Sequence, residues 1–166
     1  MSDAPPKRRL PVLQARAAGD DDAGEERPAW HFTVVGAVMA ILVWLPLAAA
    51  ASSAATRLAG DPGPDGAVPV HLAPALIGLG ALGYATASFA AGALVGRFGG
   101  RAGLREASLT GPIAGAVAWA LAATQSGPGP GAIAWALLLV TMAAVGAGAS
   151  HGGGRAGLAA RATSRP

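Results

Sequence analysis

The side chains with the greatest potential for chemistry are three histidines, His31, His71 and His151, and one isolated glutamate, Glu106. Imidazole and carboxylate groups bind zinc when they converge at a defined spacing, such as two histidines one helical turn apart. None of these histidines lies within a helical turn of another, and their segments are unrelated in sequence. The pattern favours interfacial histidines and predicts no metal site.

The residue sets of the common enzyme classes are also missing from the sequence. There is no cysteine, which excludes disulfides, thiolate metal ligands and cysteine nucleophiles. No Ser-His-Asp set, paired carboxylates, phosphate-binding loop or dinucleotide fingerprint is present. We therefore expect a protein that is not an enzyme and that uses no cofactor.

The few charged residues are confined to short pieces of the chain. Twelve basic and nine acidic residues among 166 are too few to cover the surface of a soluble domain of this length. Four apolar segments lie between the charged pieces, and each is long enough to cross a hydrocarbon core of about 30 Å as a helix. The sequence predicts an all-α, polytopic membrane protein with four antiparallel transmembrane helices, at about residues 31–55, 69–98, 108–124 and 131–150.

The two ends of the chain are predicted to be tails outside the four-helix domain, which covers residues 30–151. Residues 1–29 mix acidic and basic side chains and contain little apolar surface, so burial cannot offset the entropy cost of ordering them. Residues 152–166 are rich in Gly and Arg. We expect a disordered cytoplasmic tail before the first span and a flexible cytoplasmic tail after the fourth.

The third span is the weakest of the four by composition. It is short, contains Pro112, and its Gly and Ala residues contribute little transfer free energy. A short uncharged turn joins it to the fourth span, so the two can insert together as a hairpin. The alternative is a re-entrant or interfacial segment.

The distribution of Lys and Arg predicts the orientation, because cytoplasmic loops carry the excess of these residues. With the N terminus inside, five basic residues precede the first span, three lie between the second and third spans, and three follow the fourth. Arg57 alone lies outside. Both termini are predicted to face the cytoplasm, and the bias towards Ala, Gly, Pro and Arg, whose codons are GC-rich, favours a bacterial inner membrane.

Small residues recur at four-residue spacing in the second and third spans. Gly92 and Gly96 form one GxxxG pattern and Gly111 and Gly115 form another. Glycine at this spacing lets a second helix backbone approach closely. The first pattern extends along one face through Gly80, Tyr84 and Ser88. The interpretations are packing within one bundle or a homodimer interface.

A basic cluster flanks the turn between the second and third spans. Glu106 is the only acidic residue between Asp65 and the C terminus, and it is placed at the positive end of the third helix. One interpretation is a clamp on the loop, in which Glu106 pairs with Arg97 or Arg105. The other is a docking site for anionic lipid headgroups, formed by Arg97, Arg101 and Arg105.

The segment from Ala91 to Gly111 contains Gly-Arg at 96–97, Arg-Glu-Ala at 105–107 and a glycine, Gly111, in the first turns of the next helix. It resembles the corresponding turn of small uncharacterised four-span bacterial inner-membrane proteins. The resemblance covers residues 70–150 and implies the same four-helix architecture. It implies no particular activity.

These patterns favour a non-enzymatic membrane protein that acts through helix–helix contacts, as an accessory or envelope-organising subunit. The predicted partners are the lipid bilayer, anionic headgroups, and a second copy or another membrane protein, but not nucleic acid, because the basic excess is only three. One alternative is a small dimeric transporter or channel; another is a scaffold whose residues 1–29 bind a cytoplasmic partner. No span places an Asp, Glu, Lys or Arg at mid-membrane depth, so a transport path would be lined by hydroxyls, at Thr33, Ser52, Tyr84, Ser88 and Thr141.

Overall fold

The computed structural model describes residues 28–59, 72–125 and 131–164, and the regular elements among them are helices. They are α1 (Trp30–Ala59), α2 (Ala73–Phe98), α3 (Leu104–Gln125) and α4 (Ala132–Thr163). Each is long and apolar enough to cross a membrane. The predicted all-helical architecture with four spans is confirmed, and it indicates a multi-pass membrane protein. Of the predicted N-terminal tail, residues 1–27 lie outside the described residues.

Successive helices run antiparallel. In α1, Gly36 faces Val95 near the end of α2, whereas Trp44 lies against Tyr84 in the middle of α2. α2 and α4 are parallel, because Gly92 lies beside Ser150 and Gly96 beside Gly154. We call one end of the bundle the arginine end, after Arg97, Arg101, Arg105, Arg155 and Arg161. The other is the linker end, where α1 and α3 end and α2 and α4 begin.

α2 and α3 occupy the middle of the bundle. α1 and α4 each pack against both of them, and in the described residues no Cα atom of α1 comes within 8 Å of one of α4. The core is made of small side chains, including Ala37, Ala40, Ala91 and Ala114, with Tyr84 as its one large buried member. Small side chains allow the backbones to approach closely, so the bundle has little room for a polar interior near its centre.

α3 begins earlier than the sequence predicts. Its first residue is Leu104 rather than Ser108, because the Glu106 carboxylate accepts a hydrogen bond from the backbone N–H of Gly103 at 2.8 Å. A glutamate at the third helical position commonly satisfies the cap residue in this way. With 22 residues, α3 spans about 33 Å at 1.5 Å per residue, which is enough to cross the hydrocarbon core.

α4 ends later than the sequence predicts. The predicted boundary at Ser150 and the flexible tail from residue 152 are corrected by a helix that continues to Thr163. Glycine is a poor helix former, but Gly153, Gly154 and Gly157 are buried against the neighbouring helices. Tertiary packing therefore compensates for the low propensity of the glycine-rich segment.

Candidate functional site

The closest packing in the bundle lies between the parallel helices α2 and α4. A methyl group built on Gly92 would overlap the backbone carbonyl of Ser150, and one on Gly96 would overlap that of Gly154. In the opposite direction, a methyl group on Gly153 would overlap the carbonyl of Phe89. Backbone therefore lies directly on backbone along this contact, as in close-packed GxxxG helix pairs.

The same face of α4 also contacts α3. A methyl group on Gly111 would overlap the backbone of Gly146, and Gly154 lies against Ala107. Hence one stripe of α4 fits into the cleft between α2 and α3. We call this contact the glycine seam; it consists of Gly92 and Gly96 on α2, Gly111 on α3, and Gly146, Ser150, Gly153, Gly154 and Gly157 on α4.

Tyr84 marks the end of the seam. Its side chain is 4% exposed, and its hydroxyl donates a hydrogen bond of 2.7 Å to the backbone carbonyl of Gly111 on α3. Trp44 of α1 lies edge-on against its ring, with 5.8 Å between the ring centroids. A methyl group on Gly115 or on Gly146 would contact the Tyr84 hydroxyl. Tyr84 thereby connects all four helices.

The predicted stripe on α2 is not used along its whole length. Gly92 and Gly96 contact α4, and Ser88 is fully buried, with no hydrogen-bond partner for its hydroxyl among the residues that the structure describes. Gly80, in contrast, has no atom within 4 Å of the position of a Cβ. Gly92, Gly96, Gly111 and Gly115 are thus occupied within one chain, which agrees with the bundle-packing interpretation at these four positions.

The arginine cluster and Glu106 are arranged differently from the predicted clamp. The Glu106 carboxylate bonds to the backbone of Gly103 rather than to an arginine, and the backbone carbonyl of Glu106 accepts a bond of 3.2 Å from the Thr33 hydroxyl of α1. Arg97, Arg101 and Arg105 are exposed, and the Arg97 guanidinium lies 5.3 Å from the centre of the Phe98 ring. The three arginines share one end of the bundle.

The residue that clamps the α2–α3 turn is Arg161, near the end of α4. Its guanidinium donates hydrogen bonds to the carbonyls of Arg97 (3.1 Å), Gly100 (2.7 Å) and Val95 (3.3 Å). Carbonyls at a helix C terminus lack intrahelical partners and carry partial negative charge. The Arg161 cation supplies hydrogen-bond donors to these carbonyls and offsets their partial negative charge. Sequence reasoning missed this contact because the partners are more than sixty residues away.

The turn that Arg161 contacts has the geometry that glycine permits. The N–H of Gly99 donates to the carbonyl of Val95 at 2.9 Å, and that of Ala102 to the carbonyl of Gly99 at 2.8 Å. Gly100 adopts a φ of 55°, a value that a side chain would disfavour. The turn is therefore short and brings Arg97 and Arg101 to the same surface.

The histidines do not form a metal site among the described residues. His31 stacks on Trp30, with 3.9 Å between ring centroids, and Nδ1 of His151 lies 3.1 Å from the Ser108 hydroxyl. Within the described ranges, no group of three His, Cys, Asp or Glu side chains converges. His71 lies outside the described residues.

The hydroxyls that could line a transport path are separated in the fold. Thr33 bonds across to α3 and Tyr84 bonds to Gly111. Ser88 is enclosed, whereas Ser52 and Thr141 are exposed. Only Tyr84 and Thr141 of the five share a described cavity.

That cavity lies at the linker end. It has a volume of about 340 Å³ and is lined almost entirely by apolar atoms of all four helices, among them Trp44, Ala118, Leu138 and Met142. On one side, Trp119 donates its indole N–H to the carbonyl of Trp135 at 2.9 Å, and the two rings lie edge to face. The linker end is therefore more open than the arginine end, where the glycine seam leaves no such space between the helices that form it.

Comparison of the chain with protein-family models, with curated proteins and with solved structures gives no match.

Proposed function

We propose that this protein is a non-enzymatic accessory or envelope-organising subunit of the bacterial inner membrane, acting through helix–helix contacts and using no cofactor. Both termini face the cytoplasm, and anionic lipid headgroups at the arginine end are among its partners.

The orientation is supported by the grouping of basic side chains at one end of the bundle. Arg97, Arg101 and Arg105 lie there with Arg155 and Arg161, whereas Arg57 is near the other end. An excess of arginine marks the cytoplasmic side. Reporter fusions after Asp65 and after Thr124 are expected to read as external and one after Arg101 as cytoplasmic. An internal signal after Thr124 would contradict this topology.

One observation carries the proposal of helix–helix contacts: α1 is attached along a single narrow stripe. Thr33, Ala37 and Ala40 are buried against α2 and α3, and no described Cα atom of α1 comes within 8 Å of one of α4. The opposite face is covered by large exposed apolar side chains along most of the helix: Val34, Val38, Leu42, Val43, Leu45 and Leu47. Because α1 has more large exposed apolar side chains than any other described helix, it offers the most extensive apolar surface for another membrane protein.

The test is site-specific photo-crosslinking in native membranes, followed by affinity purification of the full chain and mass spectrometry. A photoreactive residue is placed at Leu42 on α1 or, as a matched control, at Leu137 on α4, since these side chains are 59% and 63% exposed. The proposal expects a stoichiometric protein adduct at position 42 and much less at 137. Lipid adducts alone at both positions would contradict it.

The same experiment distinguishes the proposed function from the alternative. Adducts at position 42 to a second copy of this chain, with no other protein recovered, would support a small dimeric transporter or channel instead. Flux assays in liposomes would then follow.

A further inference from the structure

A groove runs between α1 and α2 at the arginine end. It has a volume of about 260 Å³ and an almost wholly apolar lining that includes Phe32, Val35, Met39, Leu94, Val95 and Phe98. Gly36 also lines it and lets α1 approach α2 and α3 closely, because a methyl group there would overlap the side chains of Val95 and Thr110. No described residue of α4 lines the groove, so the glycine seam does not close it. Its position within two membrane-spanning segments places it beside lipid acyl chains.

A cationic group lies at one end of the groove. Phe98 lines the groove, and the exposed Arg97 guanidinium is 5.3 Å from the Phe98 ring centre. A guanidinium binds phosphate through several directed N–H groups. The nearest acid in sequence, Glu106, has turned its carboxylate to the backbone of Gly103. Arg97 is therefore not engaged by that carboxylate.

The end of α2 would ordinarily repel an anion, because helix C termini carry partial negative charge. Here the Arg161 guanidinium bonds to the carbonyls of Val95, Arg97 and Gly100 and offsets that charge. A negatively charged group beside Arg97 therefore faces a helix end whose partial negative charge is offset by Arg161. The apolar groove and the cationic end together match a molecule with a hydrocarbon chain and an anionic head.

We propose that the α1–α2 groove binds one anionic phospholipid, with an acyl chain against Val35 and Leu94 and the phosphate on Arg97. This inference rests on the proposed role of anionic headgroups as partners and assigns them one defined site. Residues 1–27 and a second copy of the chain are the rival occupants, and the test distinguishes them.

The test uses the full chain reconstituted in vesicles that contain phosphatidylglycerol or phosphatidylcholine with a photoreactive acyl chain, and labelled peptides are mapped by mass spectrometry. The expected result is labelling of α1 and α2 groove residues by phosphatidylglycerol in excess over phosphatidylcholine. Arg97→Gln is expected to abolish that preference. Arg155→Gln, which removes an exposed arginine from α4, is the control and is expected to retain it.

A second pair of variants tests the groove itself. Val35→Trp places a large ring in the groove and is expected to lose the labelling, whereas Val38→Trp, outside the groove lining, is expected to keep it. Both positions are largely exposed, at 59% and 49%, so both variants are expected to fold; circular dichroism and elution volume check this. Equal labelling by the two lipids, or unchanged labelling in both Arg97→Gln and Val35→Trp, would overturn the proposal.

The rival occupants give different products. Labelling that appears only after residues 1–27 are deleted would show that this segment fills the groove, and crosslinks between two chains at Val35 would show a second copy. Either result overturns the lipid site. Neither affects the partner adduct expected at Leu42, so this inference and the proposed function can fail separately.

Discussion

The arginine half and the linker half of the bundle are built from the same small residues but pack in different ways. On α2, Gly92 and Gly96 lie directly against the backbone of α4, whereas Gly78 and Gly80, on the same helix, have no atom within 4 Å of a Cβ position. In the linker half, the four helices surround a cavity of about 340 Å³. The contrast shows that the helix packed against a glycine, and not GxxxG spacing alone, decides whether that position can hold a larger side chain.

The largest effect is expected from Gly92→Leu. The new side chain would overlap the Ser150 carbonyl, which belongs to a helix backbone and cannot move alone. Overpacking of this kind costs about 1–3 kcal/mol or more, so we expect a large fall in thermal stability in detergent, or failure to accumulate. Gly80→Leu is the matched control and is expected to fold. Equal stability of the two variants would show that the arginine half and the linker half tolerate a larger side chain equally well.

A smaller loss is expected from Arg161→Gln, which removes the cation that bonds to the end of α2. The carbonyls of Arg97 and Gly100 lose their partner, and the guanidinium is partly exposed, so the cost is about 1–2 kcal/mol. Hydrogen exchange is expected to rise in the turn at 99–102 and in the last turns of α4. Arg155→Gln is the control; the same exchange pattern there would mean that Arg161 has no specific role.

Tyr84→Phe tests the boundary between the two halves. It deletes the hydroxyl that donates to the Gly111 carbonyl but keeps the ring against Trp44. Hydrogen bonds between membrane helices contribute about 0.6 kcal/mol on average, so a modest drop in unfolding midpoint is expected. Thr86→Val removes an exposed hydroxyl that bonds only within α2. A larger effect at Thr86 than at Tyr84 would contradict the assignment of Tyr84 as a connecting residue.

The smallest effect is expected from filling the linker-end cavity. Gly80 lines this cavity and Gly78 does not, although both are free of close neighbours. Gly80→Leu is expected to raise the free energy of unfolding by no more than about 0.5 kcal/mol. Gly78→Leu is expected to raise it less, because only the side chain at position 80 gains contacts in the cavity. Greater destabilisation by Gly80→Leu than by Gly78→Leu would show that the linker half is as tightly packed as the arginine half.

The number and approximate positions of the spans follow from the sequence because hydrophobicity and length determine them. The involvement of Gly92, Gly96 and Gly111 in close packing also follows from their spacing. Their partner does not, since periodicity identifies a face without saying which helix meets it. The recurrence of Gly146, Ser150 and Gly154 at the same spacing is the signal that could have identified α4.

Two features of the arginine end lie beyond sequence reasoning. A segment with Gly152, Gly153 and Gly154 in succession has low helix propensity, and only the backbone of α2 beside it explains why the helix continues. The Arg161 contact depends on carbonyls of the α2–α3 turn, which any residue type would supply. No pattern of side chains in the sequence therefore predicts the Arg161 contact.

The glycine seam has a consequence for the order in which the chain assembles during synthesis. Arg161 and the carbonyl of Arg97 are 64 positions apart, and α4 is the last of the four helices to emerge from the ribosome. Until it arrives, the glycine faces of α2 and α3 have no permanent neighbour. We therefore expect the first three helices to pack loosely until the fourth helix supplies the other side of the seam and completes folding. Defects in the seam should consequently be detected by the cell as slow maturation and degradation of newly made chains.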